Sequence, residues 1–156
     1  MGRDFNKRRN EITLATKYGY LNPWEQDFSS YRVERALSDS LYRLKTDYID
    51  LYQLHNPSPG FLHNAHELFD LMAQLRKKGV IKAIGVSARS PDEALEILEN
   101  HDLDCIQVNM NLTDMRAITN GLLNKCLCKD IGVIIRSPLA LGFLSGNITQ
   151  QTIFNF

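Results

Sequence analysis

What most limits the folds open to this chain is an alternation that runs through nearly all of it. Short runs of branched apolar residues are each followed by a longer run with helical spacing. The short runs predict strands over residues 12–17, 48–54, 82–87, 104–109 and 132–136. The longer runs predict four helices. One covers 31–44, where Val33, Leu37, Leu41 and Leu44 recur by threes and fours, and a second covers 61–78, with Leu68, Leu71, Met72 and Leu75 on one side. A third starts at Pro91 with Leu95 and Leu98 inward, and a fourth covers 115–128 with Met115, Ile118, Leu122 and Leu123 inward. Ser29 or Ser30 and Ser90 stand at cap positions, Pro91 in a first turn, and Lys77 and Lys78 in a last turn closed by Gly79. Strands separated by helices through short connections run parallel and are joined by right-handed crossovers. The fold class is therefore α/β, with about five parallel strands and four helices, in a single domain over residues 1–156. The pattern leaves two architectures open, a doubly wound sheet or part of a closed barrel. Both bind ligands at the carboxyl ends of their strands.

Those ends carry polar groups that a core would not need. Lys17 closes the first strand, His55 the second and Ser87 the third. Gln107 and Asn109 close the fourth, and Arg136 and Ser137 the fifth. An amine, an imidazole, a hydroxyl, two amides and a guanidinium thus converge on one mouth, which is what a ligand pocket requires. Each also has a local reading: Lys17 as a strand terminator, His55 and Ser87 as caps, Gln107 as a buried hydrogen-bonding group, Arg136 as a rim ion pair.

Composition removes several function classes. Basic and acidic residues balance at 18 each, so nothing favours nucleic acid or an anionic membrane surface as partner. Cys105, Cys126 and Cys128 are odd in number, and the last two sit too close together for zinc or redox spacing. They read as reduced thiols, mostly core fillers. No run approaches the ~18 apolar residues of a spanning helix, and residues 1–6 hold no apolar signal segment, so a cytoplasmic protein is expected. Lys7, Arg8 and Arg9, beside Arg3 and Asp4, read as a solvated terminal segment. His63, His66 and His101 read as surface residues. Asp47 and Asp50 lack a third ligand at metal spacing, so no metal site is expected.

Read with their neighbours, these strand ends resemble the aldo-keto reductase family. The resemblance is carried by Ala15-Thr16-Lys17, then Ser40-Leu41-Tyr42-Arg43-Leu44-Lys45-Thr46-Asp47-Tyr48-Ile49-Asp50-Leu51-Tyr52-Gln53-Leu54-His55, then Gly79-Val80-Ile81-Lys82-Ala83-Ile84-Gly85-Val86-Ser87. Ile106-Gln107-Val108-Asn109 and Ser137-Pro138-Leu139-Ala140-Leu141-Gly142-Phe143-Leu144-Ser145-Gly146 continue it in order, so it covers roughly residues 10–146.

The resemblance implies a (β/α)8 TIM barrel of which this chain supplies strands three to seven. It implies reduction of a small aldehyde or ketone with NADPH, or NADH. Lys17 falls where the family has its catalytic lysine, and His55 where it has the histidine that orients the carbonyl. Ser87 and Gln107 match positions that hold the nicotinamide carboxamide. Arg136 stands where a side chain stacks on the nicotinamide, and its flat guanidinium can serve there. Ser137, Leu139 and the turn to Gly142 resemble the pyrophosphate loop. Ala88 replaces an asparagine that in many members also contacts the nicotinamide. The family's first two strands, with an aspartate and the proton-donating tyrosine, have no counterpart here, nor have the basic residues that grip the 2′-phosphate. His55 is then the remaining proton donor, and turnover by this chain alone is expected to be slow or absent. Two other functions fit the same residues: a non-catalytic binding or scaffold module, and a lyase or cyclase that uses Lys17 and His55 without a hydride step. Two open sheet edges predict self-association, or pairing with a chain that supplies the missing strands.

Overall fold

The strands, in chain order, are β1 (Ala15–Tyr18), β2 (Tyr20–Asn22), β3 (Glu25–Gln26), β4 (Ile49–His55), β5 (Ile81–Ser87), β6 (Cys105–Asn109) and β7 (Gly132–Arg136). The helices are α1 (Ser30–Leu44), α2 (Pro59–Leu62), α3 (His66–Lys77), α4 (Pro91–Asn100), α5 (Arg116–Thr119) and α6 (Leu122–Cys128), with 3-10 segments at Asn6–Glu11 and Ala140–Ser145. This computed structural model describes residues 6–153. One parallel sheet runs β1-β4-β5-β6-β7, and β2 and β3 form a separate antiparallel hairpin. The expected five parallel strands with intervening helices are present.

Register divides the sheet into two faces. Tyr52 and Leu54 pair with Ile84 and Val86, and Val86 with Ile106. All of these, with Val108, are buried, and they meet the helices. The Tyr52 hydroxyl donates to the Val33 carbonyl of α1 at 3.1 Å, and the Tyr18 hydroxyl reaches Met72 Sδ of α3 at 3.8 Å. The two phenol rings stack at 4.8 Å, and burial raises both pKa values above the usual tyrosine range. This is the core. The opposite face carries Lys17, Gln53, His55, Ser87, Cys105, Gln107, Asn109 and Arg136, tied by register. The Cys105 thiol there is pushed up to about 11, chiefly by burial, so it is no nucleophile at neutral pH.

Several expectations need correction. The helix expected over 61–78 is two: α2 ends at Leu62 and α3 begins at His66. Gly79 does close α3, with φ +76 and its N–H on the Arg76 carbonyl. The helix expected over 115–128 breaks at Gly121, whose φ of +85 no helix interior adopts. Met115 and Ile118 are consequently exposed, while Leu122 is buried. Ser29 holds the cap position of α1 but makes no capping bond with its side chain. Ser90 caps α4 through the Glu93 N–H at 3.2 Å, with Pro91 in the first turn.

Among the expected surface groups, His101 is buried. Its Nε2 lies 2.9 Å from the Leu62 carbonyl, and its ring stacks on Phe69 at 4.2 Å. Cys128 is exposed, whereas Cys105 and Cys126 fill the interior, and all three are free thiols. The terminal basic run is not all solvated. Arg9 pairs with Asp50 at 2.8 Å, donates to the Thr46 hydroxyl and the Tyr48 carbonyl, and lies over the Tyr48 ring. Lys82 closes on the same carboxylate at 3.0 Å. Arg3 and Asp4 lie outside the described residues.

Candidate functional site

The carboxyl ends of the strands carry the candidate groups in three successive rows of one face. Lys17 pairs in register with Gln53, and Gln53 with Gly85. One step further along, His55 pairs with Ser87 and Ser87 with Gln107. Asn109 pairs with Arg136 at the next step. Because side chains alternate along a strand, positions two apart project to the same side. The register therefore gathers Lys17, His55, Ser87, Gln107 and Arg136 on one face at one end of the sheet, as the strand-end reading requires.

Gly85 lets the lower row form. A Cβ there would stand 2.9 Å from the Cys105 carbonyl and 3.1 Å from Gln53 Cγ, so only glycine leaves room for the Gln53 side chain. Gln53 is 1% exposed, yet among the described residues its Nε2 donates to nothing. Asn109 Oδ1 and Arg136 Nε are also buried without partners among those residues. Buried polar atoms are almost always hydrogen-bonded, so three orphans on one face mark it as built for something other than stability.

His55 lies under two cations. Burial first, then the charges of Lys17 and Arg136, hold its pKa below the ordinary imidazole value, so it is neutral at pH 7. Arg136 reaches across from β7 and donates through Nη2 to the carbonyls of Ala88 and Arg89, at 3.1 and 3.3 Å. Asn56, directly after His55, adopts φ +54, and its N–H donates to the Ser87 carbonyl at 2.8 Å. The Ser87 side chain is enclosed and Gln107 half-buried, and among the described residues no hydrogen bond occupies either side chain.

The β7 exit is a run of left-handed residues. Ser137, Ala140, Leu141 and Gly142 all have positive φ. The Ser137 carbonyl accepts from Asn111 Nδ2 at 3.1 Å, which ties the loop to the end of β6. Leu139 is half-exposed, and the Gly142 N–H is spent on the Leu139 carbonyl at 2.9 Å. That amide is thus engaged within the loop.

Sequence reasoning missed Gln53, Tyr20 and Gln26. Gln53 was legible, since it precedes His55 by two residues and so shares its face. The hairpin that brings Tyr20 and Gln26 to His55 had a weaker signal, the turn-forming Asn22-Pro23 pair. Tyr20 meets the His55 ring edge-on at 4.9 Å, and Gln26 Nε2 donates to the His55 carbonyl at 3.0 Å.

Comparison with known proteins agrees with this fold. The model of the Aldo/keto reductase family matches residues 1–156. An NADH-specific methylglyoxal reductase of Escherichia coli is 32% identical over 93% of this chain and 48% of its own. Among solved structures, an aldo-keto reductase from Bacillus halodurans in its holo form superposes with a TM-score of 0.81 at 32% identity, covering 96% of this chain and 49% of that one. A glycerol dehydrogenase from Gluconobacter oxydans gives 0.81 at 28% identity, covering 99% and 49%. The chain spans about half the length of the curated relatives it matches, and its five-stranded sheet with helices is part of their α/β TIM barrel. This chain belongs to the aldo/keto reductase family.

Proposed function

We propose that this chain carries the lysine and histidine side of a carbonyl-reduction site together with part of its nicotinamide site. The observation that carries the reading is the register that gathers Lys17, His55, Ser87, Gln107 and Arg136 on one face. The cofactor, NADPH or NADH, supplies a hydride when bound. The residues fit it on one test: the Ser87 hydroxyl and Gln107 amide, both unengaged, offer the donor and acceptor that a carboxamide needs. Arg136 would pack its plane on the nicotinamide, and Ser137 and Leu139 would approach the pyrophosphate through their amides, with Gly142, whose N–H is spent on the Leu139 carbonyl, shaping the turn.

On the substrate side, reduction would place negative charge on the carbonyl oxygen. Lys17 stabilises that charge, and His55 donates a hydrogen bond to the oxygen. Full proton transfer from His55 needs its imidazolium form, which burial and the two cations disfavour. Turnover by this chain alone is therefore slow and favoured by acid.

The substrate is a small aldehyde or ketone, and methylglyoxal, reduced by the Escherichia coli relative, is the natural first trial. No helix among the described residues is long and apolar enough to cross a membrane, and a cytoplasmic location suits such chemistry. The free edges of β1 and β7 favour self-association or a completing chain. The scaffold and lyase or cyclase readings gain no support from the family match.

The test is a fluorescence titration with NADPH and with NADH, followed by methylglyoxal reduction. Binding that weakens in Ser87→Ala and Gln107→Leu, with any reduction lost in Lys17→Met, supports the reading. Absence of binding to both cofactors would sink it, and a kcat of order 1–10³ s⁻¹ would sink the claim of slow turnover.

A further inference from the structure

We infer that the β2–β3 hairpin is a positioning clamp for His55, with Tyr20 setting the rotation of the imidazole and Gln26 fixing the backbone beneath it. The inference rests on the reading of His55 as the group that faces the carbonyl.

A working imidazole usually has one ring nitrogen bonded to the protein, which sets its tautomer and its rotation. Among the described residues neither ring nitrogen of His55 makes such a bond. Both nitrogens are left for a ligand, so the orientation has to come from elsewhere. The Tyr20 ring supplies it, edge-on at an interplanar angle of 74°. Tyr20 is 39% exposed, so its place on the imidazole is not explained by core packing.

Gln26 holds the backbone of the same residue. Its Nε2 donates to both the His55 and the Asn56 carbonyls, at 3.0 and 3.2 Å. Its Oε1 accepts from Arg89 Nη2 at 3.4 Å, which links the clamp to the exit of β5. Asn56 sits in the left-handed region, which asparagine tolerates, and Gln26 on one side and the Ser87 carbonyl on the other hold it there.

Tyr20 and Gln26 are register partners in the hairpin. Directly opposed residues of an antiparallel pair share a face, so a single rung presents the ring and the amide together. The rung is stiffened at its turn, where the Trp24 N–H donates to Asn22 Oδ1 at 2.9 Å and Asn22 Nδ2 to Glu25 at 2.9 Å. It is stiffened at its base by the Asp27 N–H on the Gly19 carbonyl at 2.7 Å. The groups around His55 are then Tyr20 from β2, Lys17 from β1 and Arg136 from β7, with Arg89 acting through Gln26.

The test is a proton NMR titration of the His55 Cε1–H in the full chain, assigned by its loss in His55→Gln. Tyr20→Leu is expected to remove the ring-current shift of that proton and to raise its titration midpoint toward the ordinary value of about 6.5. Gln26→Leu is expected to do the same, because ring and imidazole lose their common rung. Tyr20→Phe keeps the ring and is expected to leave both readouts where they are. A hairpin of purely structural importance would lower the thermal midpoint of the Leu variants without moving the His55 titration. Unchanged His55 shifts in Tyr20→Leu, or equal changes in Tyr20→Phe and Tyr20→Leu, overturn the inference. Were Gln26→Leu to unfold the chain, Tyr20→Leu alone would decide, since a half-exposed ring can be replaced without opening a core cavity. The titration needs no cofactor. Failure to bind NADPH or NADH would remove the proposed function and leave the clamp standing, whereas a static titration beside normal cofactor binding would remove the clamp alone.

Discussion

Replacing Gln53 with methionine tests whether the candidate face is built at the expense of stability. Gln53 is 1% exposed, and its Nε2 has no partner among the described residues. Leaving a buried amide group unpaired costs about 1–3 kcal/mol relative to solvating it. Methionine has the same unbranched length, so its Cγ keeps the place that Gly85 leaves open, where an added Cβ would approach to 3.1 Å. Nothing is lost in hydrogen bonding, and an uncompensated burial is removed. Gln53→Met is therefore expected to stabilise the chain by about 1–2 kcal/mol, less than the full penalty because the thioether does not match the amide contacts atom for atom. At this size each kcal/mol moves the thermal midpoint by about 2–4 °C, which puts the rise at about 2–8 °C. Urea unfolding followed by far-ultraviolet circular dichroism, together with a thermal scan, measures it. A midpoint that stays put or falls would refute the reasoning, because it would mean that the amide is already satisfied.

The other predictions concern titration, an ion-paired knot and a turn. Burial, opposed by the Leu62 carbonyl but reinforced by His66 and His63, lowers the His101 pKa in the fold despite Asp102. The unfolded chain then binds the extra proton more readily, so stability is full above about pH 6.5 and declines as pH falls, and the decline should be shallower in His101→Phe by thermal scans across that range. Asp50 is pushed up by burial, but the Leu14 N–H, Lys82 and Arg9 outweigh this and hold it below the usual carboxylate range. Its contribution is present above the unfolded carboxylate pKa of about 3.9 and is lost as pH falls, and Asp50→Asn should cost about 1 kcal/mol at neutral pH in urea unfolding, a charged hydrogen bond discounted for solvent screening. Gly19 has φ +126, and a Cβ there would lie 2.3 Å from Phe28 Cε1. Gly19→Ala should cost about 2–4 kcal/mol in the same assay, and a gain, as at an unstrained glycine, would contradict this.

The sheet was legible because its strands are short runs rich in apolar residues, and the later ones close on a polar side chain, at His55, Ser87, Asn109 and Arg136. The runs ending at His55, Ser87 and Arg136 end there in the structure as well. Helix ends were harder. Between α2 and α3 the only local signal for the break at Leu62 is Asn64, a turn-favouring residue that helices also tolerate. Gly121 could have been read as the break in the last helix. His101 escaped because a lone histidine looks the same in sequence whether it meets water or the ring of Phe69. Arg9 escaped because a run of three basic residues hides which of them has found a carboxylate.

The orphaned atoms separate the two faces of the sheet in function. On the helix side the two buried phenol oxygens, those of Tyr52 and Tyr18, reach the Val33 carbonyl and Met72 Sδ. On the other side Gln53 Nε2, Asn109 Oδ1 and Arg136 Nε have found none among the described residues, although all three belong to strands paired within the sheet. Strand packing cannot require this, because apolar residues at the same positions would bury more favourably. A ligand that brings its own donors and acceptors can require it. On the proposed reading the polar row at the strand ends answers a demand from binding and not from folding, and such a row is visible in sequence because it interrupts an apolar pattern.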